Sequence, residues 1–238
     1  MYSIIIPAYN EENRLPYTLN TLRDGLGRYK EQYEIIVVDD GSTDNTCEVA
    51  KNENVIRQPC NMGKGAAITA GLKVAQGDTV FILDADMPTT VDELIRLGNI
   101  TGYDLVIGSR RMSNSRVYRS KAKKIVSWIF GYVVRTITGL PYNDTQCGVK
   151  VLRAPAVKRI LPLLTEKGFL FDVDLLYLAN ITGCKVREEG IIWIDRAGSK
   201  VDVWSDSIKM ALGLIALRRK YRRIEPKPVM PCVLAKLD

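Results

Sequence analysis

Two apolar runs in this chain stop abruptly on carboxylates. Thr79-Val80-Phe81-Ile82-Leu83 ends in Asp84-Ala85-Asp86, and Ile35-Ile36-Val37-Val38 ends in Asp39-Asp40-Gly41-Ser42. Runs this short, rich in Ile, Val and Phe and bounded by turn residues, read as strands buried on both faces. Such strands belong to a parallel sheet covered by helices, whose ligands sit outside the carboxyl ends of the strands. Asp84 and Asp86 are two residues apart, so on a strand both point the same way. Together they can face one hard cation. Mg²⁺ or Mn²⁺ bridging two phosphates suits the pair, because both metals take oxygen ligands and keep waters. A lone D-x-D is more often a solvated strand end. The second acidic strand end upstream turns this one into a nucleotide site.

The remaining pattern supports the sheet. Strands are expected at residues 3–7, 34–38, 54–57, 79–83 and 103–108, and helices at 11–29, 43–52, 65–76 and 91–97. Strands alternating with helices of this length predict an α/β fold with a doubly wound, mostly parallel sheet. Beyond Ser109 the pattern changes. Helices are expected at 119–135, 154–164, 171–182 and 202–219, the first and last amphipathic, with strands at 149–152 and 185–195.

Composition narrows the chemistry. The chain has no histidine. That removes Ser-His-Asp and Cys-His catalysis, His-ligated zinc and any imidazole base. Cys47, Cys60, Cys147, Cys184 and Cys232 are scattered and never form C-x-x-C, which points to a reducing compartment and away from a disulfide framework or zinc knuckle. Met1 leads straight into a strand without a signal-peptide pattern. The longest uncharged apolar stretch, 125–134, is far short of the ~20 residues that span a bilayer. The net charge of +7 is uneven: between Leu105 and Asn143 lie eight basic residues and no acidic one, and Arg218, Arg219, Lys220, Arg222 and Arg223 follow later. Such clusters meet nucleic acid, anionic lipid or a phosphorylated substrate, although a solvated helix face is the commoner role of any single run.

Three loops carry candidate contacts. Pro7-Ala8-Tyr9-Asn10-Glu11 offers an aromatic ring to cover a base and polar groups for ribose, or simply an N-capping Asn. Asp39-Asp40-Gly41-Ser42 doubles the carboxylate where a helix cap needs one. Asn61-Met62-Gly63-Lys64-Gly65 does not meet the Walker A pattern, yet its glycines allow close backbone approach and Lys64 is placed to meet a phosphate.

In combination, I-I-P-A-Y-N-E, V-V-D-D-G-S-T-D, N-x-G-K-G-x-A and L-D-A-D resemble the family 2 glycosyltransferases of GT-A fold. Val106-Ile107-Gly108-Ser109-Arg110, Asp144-Thr145-Gln146-Cys147-Gly148-Val149-Lys150, Phe171-Asp172-Val173-Asp174-Leu175-Leu176 and Arg196-Ala197-Gly198-Ser199-Lys200 look like the polyprenyl-phosphate hexosyltransferases within it. D-T-Q-C-G and F-D-V-D-x-L look most like the dolichyl-phosphate β-glucosyltransferases, with the dolichyl-phosphate mannose synthases second. The resemblance runs from Met1 to Arg219. The mannose synthases carry a metal-facing Gln where this chain has Pro88, so two Asp ligands are all the motif offers.

The resemblance implies one domain over 1–219, with a nucleotide-sugar-binding half at 1–108 and an acceptor-binding half at 109–219, then a basic tail at 220–238. It implies transfer of a hexose from UDP-glucose, or alternatively GDP-mannose, to a polyprenyl phosphate with inversion. Pro7, Ala8, Tyr9, Glu11, Asp39, Asp40, Lys64, Asp84, Ala85 and Asp86 then form the donor site, with Arg196 and Lys200 on the diphosphate. Arg110, Lys123, Ser127 and Gln146 hold the acceptor phosphate. Asp144 orients or deprotonates the acceptor, with Asp172 as its alternative. A lipid phosphate is already anionic, its second pKa being about 6 by analogy with phosphoserine, so the missing histidine is no obstacle.

Three competing classes remain. A nucleotidyltransferase would carry a Gly-rich phosphate loop after the first strand, and Pro7-Ala8-Tyr9 is not one. A nucleic-acid binder would interleave its cations with exposed single aromatics, whereas here they alternate with Ile125, Trp128, Ile129 and Phe130. A transferase acting on a soluble sugar would not need this basic, apolar segment. The same segments predict peripheral attachment to an anionic membrane surface on its cytoplasmic face. Ile125, Ile129 and Val133 make one stripe, and Ile208, Leu212 and Ile215 the other.

Overall fold

The computed structural model describes residues 1–195 and 203–221, and their side chains except at 121–123, 126 and 203–211. Seven strands form one sheet: β1 (Tyr2–Ala8), β2 (Tyr33–Asp39), β3 (Asn54–Arg57), β4 (Thr79–Ile82), β5 (Leu105–Ser109), β7 (Lys150–Arg153) and β8 (Val186–Gly190). Their order is β3-β2-β1-β4-β7-β5-β8. Every pairing is parallel except those of β7, which runs antiparallel to β4 and β5. A small parallel pair, β6 (Arg116–Tyr118) and β9 (Ile192–Ile194), stands beside it. This is the doubly wound, mostly parallel sheet expected.

Side-chain alternation explains why both faces are covered. Ile5, Ile36, Val38, Val80, Ile82, Leu105 and Leu152 enter one core with α3 (Lys64–Val74), α5 (Lys121–Thr138), α6 (Ala154–Ile160), α7 (Phe171–Ile181) and α8 (Val203–Tyr221). Ile4, Ile6, Ile35, Val37, Phe81, Leu83 and Val151 enter the other with α1 (Leu15–Leu26) and α4 (Val91–Gly98). Each fully buried Ile or Leu contributes roughly 2 kcal/mol by removal from water. That burial, not local propensity, holds strands of only four residues in place.

Three expectations are corrected. The helix expected at 43–52 shrinks to α2 (Thr46–Val49). Its first turn is lost because Ser42 Oγ accepts from the Asn10 amide and Asp44 accepts from the Thr46 amide, local bonds that compete with helix. The strand expected at 185–195 is two strands. At Ile191 the chain leaves β5 for β6: the Ile191 amide donates to Ser109, and the Ile191 carbonyl accepts from Arg116. The helix expected at 11–29 begins only at Leu15, where Pro16 sits in the first turn. The basic tail beyond Tyr221 lies outside the described residues.

The antiparallel β7 is what assembles the site. Ile82 pairs with Lys150 and Ile107 pairs with Lys150 across the other edge, so the start of β7 lies beside the carboxyl ends of β4 and β5. The residues before it, Asp144–Gly148, are therefore delivered to Asp84 and Arg110 from a distant part of the chain.

Candidate active site

At the β1–β2 end, Tyr9 is 40% exposed at the rim. Asn10 adopts a left-handed φ of 53°. Its amide donates to Ser42 Oγ at 2.9 Å and its Oδ1 accepts from the Thr43 amide at 2.9 Å, so the two loops are tied together. Glu11 is bound by Arg14 Nε at 2.6 Å. Asp39 is fully buried; Oδ1 accepts from the Ser42 amide at 3.0 Å, while Oδ2 has no hydrogen-bond donor among the described residues and faces Arg57 Nε at 3.4 Å. A buried carboxylate oxygen in that condition suits a ligand N–H or hydroxyl. Pro7 and Ala8 contribute backbone: the Ala8 carbonyl accepts from the Asp40 amide at 2.8 Å. Asp40 has a different task from the one expected. Its two oxygens accept from the Met62 and Gly63 amides, both at 2.8 Å, so it builds the Lys64 turn and has little left for a ligand.

At the β4 end, Lys64 Nζ lies 2.7 Å from Asp84 Oδ1 and 4.0 Å from Asp172 Oδ2. Burial would lower the Lys64 pKa, but the Asp84 and Asp172 carboxylates outweigh it and hold the ammonium charged. Burial likewise opposes ionisation of Asp84, and Lys64 overrides it, keeping this carboxyl below its ordinary range. Asp86 is treated differently. Burial and then the Asp84 charge push it up to about 6, against Arg14 at 3.9 Å, and its buried Oδ1 has no donor among the described residues. Ala85 turns inward, its carbonyl accepting from Thr18 Oγ1 at 2.6 Å. An orphaned carboxylate oxygen beside a second carboxylate fits a divalent cation, with Asp84 and Asp86 as its protein ligands. Among the described residues no third His, Cys, Asp or Glu joins them.

At the β5–β7 end stands Asp144, expected to orient or deprotonate the acceptor. It is 1% exposed, and Arg110 holds it through Nε at 2.7 Å, a second guanidinium nitrogen at 2.8 Å and the backbone amide at 2.9 Å. Burial raises its pKa, but the Arg110 charge and hydrogen bonds win and bring it to about 2. A carboxylate that weakly basic takes up no proton near neutrality. Arg110 is correspondingly committed, lying also over the Trp193 ring at 4.8 Å. Asp172 is held by Lys150 Nζ at 2.7 Å, and this fully buried lysine also donates to the Cys147 carbonyl at 2.6 Å. Burial pushes the Cys147 thiol up to about 12, so it is no nucleophile.

Next to Arg110 opens a cleft of about 510 Å³ lined by Arg111, Arg119, Lys124, Ser127, Trp128 and Arg135, among others. Arg111 is used up structurally, donating to the Asn143 carbonyl at 2.6 Å and to the Ser127 carbonyl. Arg119 is held more loosely: among the described residues its buried Nε makes no hydrogen bond and stands 3.7 Å from Asp195 Oδ1 in an ion pair. Gln146 Nε2 reaches only the Phe169 carbonyl, at 3.5 Å. The Lys123 side chain, Arg196 and Lys200 lie outside what is described. Sequence reasoning did not assign Lys150, Arg14 or Arg119 to the site. Lys150 had a signal, a lone charge inside the apolar run Val149–Leu152.

With this geometry, the comparisons agree. The model of glycosyl transferase family 2 matches residues 3–161. A dolichyl-phosphate beta-glucosyltransferase of Trichomonas vaginalis is 36% identical, covering 92% of this chain and 73% of that protein. One from Saccharomyces cerevisiae is 32% identical, covering 92% and 74%. Glucosyl-3-phosphoglycerate synthase from Mycobacterium tuberculosis, solved with Mn²⁺ and UDP-glucose, superposes with a TM-score of 0.68 at 19% identity, over 92% of this chain and 78% of that one. Carboxylates gathered at the carboxyl edge of a GT-A sheet thus belong to a glycosyltransferase, and this chain is a member of glycosyl transferase family 2.

Proposed function

We propose that this enzyme transfers glucose from UDP-glucose to a polyprenyl phosphate of the dolichyl type, inverting the anomeric carbon. The observation that carries the reading is the basic cleft beside Arg110, whose lining also includes Trp128 and Tyr132 of the exposed α5 face. The relatives' names support it over nine-tenths of the chain.

Tyr9 and Asp39 hold the nucleoside in the first half, and Lys64 meets the diphosphate. Asp84 and Asp86 hold Mg²⁺ or Mn²⁺, which when bound offsets the charge of the departing nucleotide. In the second half, Arg119 and Lys124 grip the acceptor phosphate, while Asp144 keeps Arg110 in position as the wall between the two substrates. A phosphate oxygen aligned behind the anomeric carbon displaces the nucleotide and inverts the centre. The acceptor is already ionised, so no residue is asked to remove a proton, and Asp172, bound to one ammonium and near another, is not placed to do so. Radiolabelled UDP-glucose and GDP-mannose, each with and without polyprenyl phosphate in detergent, test this. Lipid-soluble label is expected only with UDP-glucose, lipid and metal together. Transfer from GDP-mannose, or to a water-soluble acceptor, would reverse the assignment.

The acceptor's chain also needs a bilayer. Among the described residues no helix is long and apolar enough to cross one. On α5, however, Ile125, Trp128, Ile129 and Tyr132 share one exposed face, and the Trp128 and Tyr132 rings stack at 6.3 Å. On α8, Leu212 and Ile215 are exposed beside Arg218 and Arg219. Val133 is half-buried, so Trp128 and Tyr132 replace it in the α5 stripe; Ile208 lies outside the described side chains. Aromatic rings and cations on one face suit a headgroup boundary, each cation adding on the order of 1 kcal/mol near anionic lipid. The protein is expected to float with vesicles containing phosphatidylserine, less so at high salt, and Trp128→Ala with Tyr132→Ala to lose most of that binding. Wild-type flotation of the double variant would remove α5 as the contact.

A further inference from the structure

Lys64 occupies an odd place for a residue that is to meet a diphosphate. Its ammonium donates to Asp84 Oδ1 at 2.7 Å, and Asp84 is one of the two carboxylates that fit the cation. A divalent ion on that oxygen and an ammonium hydrogen-bonded to it repel each other at contact range, so each weakens the other's hold. We infer that Lys64 competes with the divalent cation for Asp84, and that Asp172 is the carboxylate to which its ammonium moves. This rests on Asp84 and Asp86 being the metal pair.

The surroundings are built for such an exchange. The backbone of Lys64 is fixed. Asp40 holds the Gly63 amide, Gly63 takes a φ of 99° that only glycine adopts easily, and the Ala66 amide donates to the Lys167 carbonyl at 3.0 Å. Movement is therefore left to the side chain. Its second partner is equally fixed: Asp172 stands in the first turn of α7, with Oδ1 on the buried Lys150. Its Oδ2 faces Lys64 at 4.0 Å, so roughly 1 Å of travel brings the two into hydrogen-bond range. Lys150 thus aims Asp172 without moving, a positioning task that explains a lysine sealed inside a strand.

The functional consequence is linkage. While Lys64 holds Asp84, a free cation binds against competition. A diphosphate gives the ammonium another anionic partner and releases Asp84, so nucleotide and cation favour each other's binding by the same factor. A residue that only filled space would not produce this coupling.

Calorimetric titration of Mn²⁺ into donor-free protein tests it, with thermal melts to show that each variant folds. Lys64→Met, and Lys64→Gln as a second variant, are expected to bind Mn²⁺ about tenfold tighter than the wild type. Saturating UDP is expected to tighten Mn²⁺ binding in the wild type by several-fold more than in either variant. A crystal structure with Mn²⁺ and UDP is expected to show Lys64 Nζ off Asp84, bonded to Asp172 and facing the diphosphate. Lys64 variants that bind Mn²⁺ no tighter than wild type, or an ammonium still on Asp84 beside the bound ion, would overturn the inference while leaving the metal pair standing. A wild-type protein that takes up no Mn²⁺ even with UDP would overturn the metal pair and the inference with it.

Discussion

Asp86→Ala is expected to lower kcat/KM for glucosyl transfer by about 10³-fold or more, with the protein still folded. The size follows from what the carboxylate does: a cation it helps to hold offsets charge that appears only as the nucleotide departs, and such terms are worth about 10²–10³ per donor group even without a metal. Folding is spared because Asp86 is not a structural partner. Its Oδ1 has no donor, and Arg14, at 3.9 Å, is satisfied by Glu11. Burial and the Asp84 charge raise its pKa to about 6. For an acid raised in this way, ionisation costs the fold stability as pH climbs toward that value, and the whole cost stands above it. Near neutral pH in chelator the thermal midpoint of Asp86→Ala is therefore expected to hold or rise. In the wild type, the Mn²⁺ concentration for half-maximal activity is expected to rise as pH drops through about 6, because a proton and the cation then contend for the same oxygens. Full activity of the variant, or of wild type in excess chelator, would end the metal role.

How much of this was legible in the chain depends on how local the signal was. Strands that end in Asp39-Asp40 and Asp84-Ala85-Asp86 could be read because a buried run and a carboxylate are adjacent in sequence, and the sheet's alternation carries them to one edge. The partition of labour among those carboxylates could not. Asp40 reads like Asp39 until the Met62 and Gly63 amides are seen on its oxygens. Asp144 reads as a group free to orient or deprotonate the acceptor until the antiparallel β7 is seen to bring it onto Arg110. The same long-range pairing hides the role of Lys150 on β7, whose partner Asp172 lies on helix α7. The apolar stripe of α5 was legible as a period. Which residues face outward is a matter of helix rotation against the core, and that exchanged Val133 for Trp128 and Tyr132.

Gly148→Ala carries the second large effect, through one methyl group. A Cβ on Gly148 would stand 1.8 Å from Asp84 Oδ2 and 2.5 Å from its Cγ. No carbon and oxygen tolerate that approach, so one side gives way. The backbone of Gly148 is held from both directions: Lys150 grips the Cys147 carbonyl at 2.6 Å, and the Gly108 amide donates to the Val149 carbonyl at 3.0 Å. Asp84 is the lighter element, a short side chain with one partner in Lys64, and it is the one expected to swing away. Gly148 has no left-handed φ, so alanine brings no backbone strain of its own. The thermal midpoint is therefore expected to stay close to wild type. Displacing a metal-binding carboxylate by about 1 Å is expected to cost on the order of 10²-fold in kcat/KM. The Mn²⁺ concentration for half-maximal activity is expected to rise with it, because the remaining ligand is Asp86. Measuring activity against Mn²⁺ alongside a thermal melt separates the possibilities. A folded Gly148→Ala enzyme with wild-type rate and metal requirement would show that Asp84 can be moved without consequence, and would remove it from the reaction.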